Sequence, residues 1–370
     1  MSELINDNIK NYQPKSYANV STYPAILDCS LGVHYEQIPE YVLNVLKTID
    51  EKTIKQYPNN LSLVEKIINI YKPYVELSKE QVSIGDGSYN LLTNINLLYL
   101  LGGKTLFSYV PNFSAYTDHA YLIGAKHKHY SLKESNNFKF TEDDFLTEMK
   151  YSNASLVFVE NPNNPTGQIL PIKTIEKIIA LANSLNMAIL IDEAYGEYMP
   201  VENSAVSLVN KYNNLFVSKS FSKGYAMAGI RVGYAVGSLD ASKYLQKFII
   251  PFNGNSIGRI LAENIISNKY TEHIIEDTKE KKLKLLNALD SMENLKVSYT
   301  SSSTPIMLIY TNLDLNLWEY LRKVGLNTVS GLSYESLDKN SVRLMIRDEV
   351  DLIVKLLKEA DKIIGEVSEA

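Results

Sequence analysis

Residues 154–170 read ASLVFVENPNNPTGQIL, and their first half decides the fold. LVFV offers no polar face, so it forms a strand buried on both sides, the kind found in a mostly parallel sheet covered by helices. Pro162, Pro165 and Gly167 then fix a rigid loop at the strand's carboxyl end. The same grammar recurs outward. MAILIDE (187–193), NLFVSKS (214–220) and RVGYAVG (231–237) follow, and QVSIG (81–85), KTLFSYV (104–110) and KHKHYSL (126–132) precede, with helical patterns between them. Seven strands fit one large α/β domain, expected over residues 45–240. Beyond 240 come long helical stretches such as TEHIIEDTKEKKLKLLNALDSM, then shorter strands near KVSYT, PIMLIY and SVRLMI. These predict a smaller α/β domain over 241–370. Residues 1–44, rich in Tyr, Asn and Pro, are expected to form an arm and part of that smaller domain.

The composition bounds the function. A chain of 370 residues with 45% hydrophobic and 21% charged residues is that of a globular protein of about two domains. Its net charge of −5 argues against a nucleic-acid or anionic-membrane surface and leaves small polar substrates open. No run reaches transmembrane length, and no apolar stretch follows a basic start, so neither a membrane span nor a secretory leader is expected. The single cysteine, Cys29, cannot make an intramolecular disulfide, which fits a reducing, cytoplasmic compartment and a place in the core. Histidines at 34, 119, 127, 129 and 273 show no HExxH or paired-cysteine spacing, so no metal site is predicted. His127 and His129 alternate as strand neighbours do.

Ligands gather outside the carboxyl ends of strands in such sheets, and the candidate chemistry lies there. In SKSFSKGYAMAGIRVGY (218–234), the amine of Lys223 can form a Schiff base with a carbonyl once its charge is suppressed. Ser220, Ser222 and Arg231 offer two hydroxyls and a bidentate cation for a phosphate. A solvated loop lysine beside serines is the plain alternative. Asn164, in the stiff loop just before Pro165, can present its amide to a ring substituent, and the Asn164–Pro165 bond is a candidate cis peptide. Asp192 ends a buried strand and needs a cation, such as a protonated pyridine nitrogen; Tyr195 is placed to donate to a ring oxygen. Glu193 should point to the opposite face.

GDGSYNLL (85–92) joins a strand to a helix, where the backbone N–H groups of Gly87, Ser88 and Tyr89 can cradle a phosphate or simply start the helix. PNFSAY (111–116) offers Phe113 or Tyr116 to stack on a flat ring, or to fill the core. In SVRLMIRDE, Arg343 and Arg347 sit four apart on a strand-like stretch and should share one face; each needs an anion, from a substrate carboxylate or an intramolecular salt bridge.

Taken in order, these segments resemble the fold-type I pyridoxal-phosphate aminotransferases of class I/II, and within them the histidinol-phosphate aminotransferase-like group. The likeness covers roughly residues 55–350 and rests on NPNNPTG, DEAY and SFSKxxxxxGIRVGY in register. It implies an α/β fold-type I pyridoxal 5'-phosphate-dependent transferase, with Lys223 as the cofactor lysine, Arg231 on the phosphate, Asp192 on the pyridinium, Asn164 and Tyr195 on the ring oxygen and Phe113 on the ring face. It also implies that Tyr57, in QYPNN, reaches the phosphate of a neighbouring subunit, hence a homodimer with shared active sites, and that Arg343 binds the α-carboxylate. Three departures stand out. Tyr89 and Asn90 replace an Asp and a Glu of the glycine turn, LGVHYEQIP (31–39) replaces an NENP-like segment, and Ser330 stands where the group grips a substrate phosphate with arginine. An uncharged serine leaves a dianion without that partner, which points away from histidinol phosphate. The implied activity is ping-pong amino transfer between an L-amino acid (or amino-phosphate) and a 2-oxo acid. A decarboxylase or lyase like the threonine-phosphate decarboxylases is the alternative, and a non-enzymatic cofactor-binding sensor a remote one.

Overall fold

The computed structural model describes residues 4–10, 12–15, 25–32 and 38–368. Residues 1–3, 11 and 16–24 of the expected arm and residues 33–37 of LGVHYEQIP, His34 among them, lie outside the described residues.

The described residues include thirteen strands: β1 (Leu27–Asp28), β2 (Val82–Gly85), β3 (Thr105–Val110), β4 (Lys126–Ser131), β5 (Leu156–Glu160), β6 (Ala188–Asp192), β7 (Leu215–Ser220), β8 (Gly233–Gly237), β9 (Lys296–Val297), β10 (Ile306–Tyr310), β11 (Leu326–Asn327), β12 (Val329–Ser330) and β13 (Ser341–Met345). Strands β2 to β8 are the seven expected, in the order β2-β8-β7-β6-β5-β3-β4. The pairs β4–β3, β3–β5, β5–β6 and β6–β7 are parallel, whereas β8 runs antiparallel to both β7 and β2. Every residue of β5, β6 and β7 is buried, as their apolar runs require, while the first four residues of the edge strand β4 alternate exposed and half-buried.

Helices Ser88–Leu100, Ser114–Leu122 and Ile172–Ser184 fill the crossovers. One cover includes Ile175, Ile178 and Ile179 of the last of these; the other includes Leu91, Leu92 and Ile95 of the first, with Tyr116 and Ala120 of the second. A four-stranded antiparallel sheet, β12-β13-β10-β9, and the parallel pair β1–β11 form the second layer with its own core. Cys29 is fully buried in it, and burial pushes its thiol pKa up. Helix Asn268–Leu289 serves both cores: Tyr270 and Ile274 pack in the first, Leu285 and Leu289 in the second. On this distribution we propose that the boundary between the two units lies inside this helix rather than at residue 240.

Candidate active site

The carboxyl ends of β3, β5, β6 and β7 open on a cavity of about 190 Å³ lined by Ser88, Tyr89, Phe113, Glu160, Asn164, Asp192, Tyr195, Ser220, Ser222, Lys223 and Arg231, with Pro162, Ala194 and Ala228. Segments nearly 150 residues apart in sequence therefore meet because they all follow strands of one sheet.

Asp192 is held at the floor by its strand, where burial raises its pKa to about 7, despite a hydrogen bond from the Ala194 N–H. Its Oδ1 is buried and accepts no hydrogen bond. Glu193 points the other way: Ser204 Oγ and the Ala205 N–H donate to its carboxylate, and Lys219 Nζ lies 3.4 Å away. The two lysines of SKSFSK thus divide. Lys219 is a buried member of an ion network with Glu193 and Glu197, whereas Lys223 faces the cavity. Burial, then the Arg343 and Arg231 cations, lower the Lys223 ammonium pKa to about 8 against the pull of Asp192. Its Nζ lies 5.5 Å from the centre of the Tyr195 ring.

At one end of the cavity, Gly87 has φ +76°, which L side chains rarely adopt, and starts helix Ser88–Leu100. A Cβ there would lie 2.5 Å from Arg231 Nη2. Arg231 Nη1 in turn donates to Ser222 Oγ at 3.4 Å, and the Ser222 N–H donates to Ser220 Oγ at 3.1 Å. The helix start, guanidinium and hydroxyls together form an anion cradle. An unmet buried carboxylate oxygen at the floor and this cradle at the end fit a phosphorylated, protonated pyridine ring.

Phe113 lines the cavity, and Tyr89 meets its ring edge-on at 6.0 Å. Tyr116 does not line it; it stacks on Phe158 at 3.8 Å in the core. The peptide bonds before Pro111, Pro162 and Pro165 are all cis. Asn164 lines the cavity, and its Oδ1 accepts from Tyr334 Oη (3.3 Å) and Arg343 Nη1 (3.2 Å). Arg343, fully buried, also donates to the Ser30 carbonyl. Arg347 meets the intramolecular salt bridge that was one of its two expected partners. The strand ends at Met345, and Arg347 donates to the Asp28 carbonyl at 2.8 Å, with Glu349 3.7 Å from its Nε. Tyr57 is not at this cavity; it is 74% exposed and stacks on Phe252 at 4.3 Å. Ser330 Oγ accepts from the Leu332 N–H in its own short turn.

Three contributors escaped the sequence reading. Glu160 lies beside Asp192 in register and accepts from the Phe113 N–H (2.8 Å), Asn163 Nδ2 and the Asn164 N–H (both 3.1 Å). Its place at the end of a buried run was the available signal, the same one that singles out Asp192. Tyr334 and Gly32 carry no local signal; a Cβ on Gly32 would fall 2.2 Å from Tyr195 Oη.

Residues 29–355 match the family described as Aminotransferase class I and II. The chain belongs to the class I and II aminotransferases. This aminotransferase is 28% identical over 315 residues to a histidinol-phosphate aminotransferase of Thermoanaerobacter sp. (strain X514), covering 85% of this chain and 86% of that one. Among solved structures, the histidinol-phosphate aminotransferase from Clostridium acetobutylicum superposes with a TM-score of 0.80 at 22% identity, covering 91% of this aminotransferase and 99% of the other chain. L-threonine-O-3-phosphate decarboxylase from Porphyromonas gingivalis superposes with 0.71 at 18% identity over 89% and 100%, a likeness of fold alone. The family makes this chain an enzyme of amino-group transfer, with the fold-type I architecture.

Proposed function

We propose that the enzyme moves an amino group between an L-amino acid and a 2-oxo acid with pyridoxal 5'-phosphate in the cavity described. The unmet Asp192 Oδ1 facing the same cavity as Lys223 carries this reading. Pyridoxal phosphate, when bound, supplies an aldehyde that condenses with amines and a ring that accepts the electrons of a broken Cα–H bond. Gly87, Ser88 and Tyr89 backbone N–H groups, with Ser220, Ser222 and Arg231, hold the phosphate; Asp192 keeps a proton on the ring nitrogen; Asn164 and Tyr195 donate to the ring oxygen; Phe113 packs on the ring face. Lys223, its pKa lowered to about 8, is roughly one-tenth neutral at pH 7 and increasingly so above it. It is the group that would bond the aldehyde and would move the Cα proton of a bound substrate. Arg343 binds the substrate carboxylate.

The reading extends to a cytoplasmic homodimer in which Tyr57 of a second copy completes the phosphate site. The exposed apolar set around it, Ile54, Tyr57, Ile250 and Phe252, supports this. Ser330, occupied with its own turn, supports an amino-acid substrate over an amino-phosphate. The test is to follow the visible absorption of the cofactor-loaded enzyme while amino acids and amino-phosphates are added without a 2-oxo acid. A substrate converts the band, and two-substrate kinetics give parallel double-reciprocal plots. Carbon dioxide release without any 2-oxo acid would replace transfer by decarboxylation.

A further inference from the structure

His127 and His129 lie two apart on edge strand β4 and so share a face. Glu335 reaches them from the segment after the Gly331–Ser333 turn of the second layer. His127 Nδ1 is 3.1 Å from Glu335 Oε2, and His129 Nδ1 is 3.6 Å from Oε1. Tyr121 Oη stands 3.3 Å from His127 Nδ1 and 3.4 Å from Glu335 Oε1. One ligand atom from each histidine and the glutamate fall within 4.8 Å of one another.

A tetrahedral ion with bonds of about 2.1 Å sets its ligand atoms about 3.4 Å apart, close to the two histidine–glutamate separations. As hydrogen bonds the contacts other than His127–Glu335 are poor. His129 Nδ1 is a buried atom with no hydrogen bond, and the Tyr121 contacts lie at the long end of the range. The support behind the cluster is ordered as for a ligand. The side chain of His127 is buried, and its far nitrogen, Nε2, lies 2.9 Å from Ser108 Oγ, which also accepts from Asn112 Nδ2 at 2.9 Å. Such a contact fixes a ring and aims its other nitrogen. His129 and Glu335 remain 31% and 16% exposed, which leaves a path for an ion.

We propose that His127, His129 and Glu335, with Tyr121 alongside, bind a divalent transition-metal ion of the zinc class. Two imidazoles and a carboxylate suit such an ion and are poor for Mg²⁺ or Ca²⁺. The Lys15 ammonium acts on both His129 and Glu335 and opposes binding. The ligands come from both layers. An ion here ties β4 to the segment that carries Tyr334, whose hydroxyl donates to Asn164, and the Ser131–Ser336 hydroxyl pair (3.3 Å) lies on the same seam. The histidine spacing hid this site because its carboxylate arrives from the other end of the chain.

Equilibrium dialysis of the cofactor-loaded enzyme against Zn²⁺, followed by metal analysis, is expected to show one ion retained per chain. The His127→Gln/His129→Gln double variant should lose it, Ser108→Ala should weaken it by about tenfold or more, and Lys15→Ala should tighten it. Equal retention by parent and double variant, or none by the parent with Zn²⁺ in excess, would overturn the proposal. Anomalous scattering at the zinc edge from soaked parent crystals needs no variant. A peak between the three side chains supports the site, and peaks only elsewhere, or none, reject it.

Discussion

Replacing Asp192 with asparagine should make the cofactor-free protein more stable and the loaded enzyme nearly inactive. In the folded chain the carboxyl is held at about 7 rather than its ordinary 3.8, chiefly by burial. That difference corresponds to about 4 kcal/mol of penalty on the ionised, cofactor-free fold. The sign follows from proton linkage. Below 3.8 the group is protonated in both folded and unfolded chains and costs nothing; as pH rises toward 7 only the unfolded chain ionises, and stability is lost; above 7 the loss is complete. Asp192→Asn removes this slope. Glu197, also raised to about 7, titrates in the same window, so the quantity to compare is the difference between parent and variant. Urea unfolding of both cofactor-free proteins at pH values on either side of this window should show the variant gaining up to about 4 kcal/mol on the parent at the higher pH. Turnover should fall by about 100-fold or more, since the ring nitrogen loses its charged partner. Identical pH profiles for the two proteins would refute the reasoning, as would an Asp192→Asn enzyme with normal turnover.

Other substitutions probe the remaining groups. Glu160→Ala strands three donors, at about 1–3 kcal/mol each where water does not replace the carboxylate. It should lower the melting temperature and weaken pyridoxal-phosphate affinity by loosening Phe113 and Asn164 together, read by denaturation and titration. Gly87→Ala puts a methyl against Arg231 in a backbone conformation that costs about 1–2 kcal/mol for an L side chain. It should weaken pyridoxal phosphate while leaving the binding of pyridoxal, which lacks the phosphate, almost unchanged. Covalent capture of the aldehyde by the cofactor-free chain needs a neutral Lys223, so its rate should climb through neutral pH and level off above about 8. Arg343→Gln, by removing a neighbouring cation, should move that inflection upward, as stopped-flow absorbance would show.

The sheet was legible because strands buried on both faces leave continuous apolar runs, and the motif residues were legible because they follow those runs directly. Lys223, Asp192, Asn164, Tyr195, Ser222 and Arg231 all line the cavity for that reason. Glu160 obeys the same logic, ending the buried run LVFVE. Nothing local marks Tyr334, Ser30 or Gly32, whose contacts exist only once residues near 30, 164 and 334–343 are folded together. The two-residue strands β1, β11 and β12 were invisible, being too short to show a period. Arg347 lies past the end of its strand at Met345 and meets Glu349, the salt bridge that a cation in such a run invites.

The contact between Arg343 and Asn164 joins two acts of recognition that chemists would list separately. On the proposed roles, a substrate carboxylate does not enter a vacant socket but competes for a guanidinium already spoken for by Asn164 and the Ser30 carbonyl. Arrival of the acid therefore rewires the group beside the ring oxygen. Molecules lacking the carboxylate leave that wiring untouched. Selectivity for amino acids over simple amines would then be expressed in how readily the ring reacts, and not only in how tightly the substrate is held.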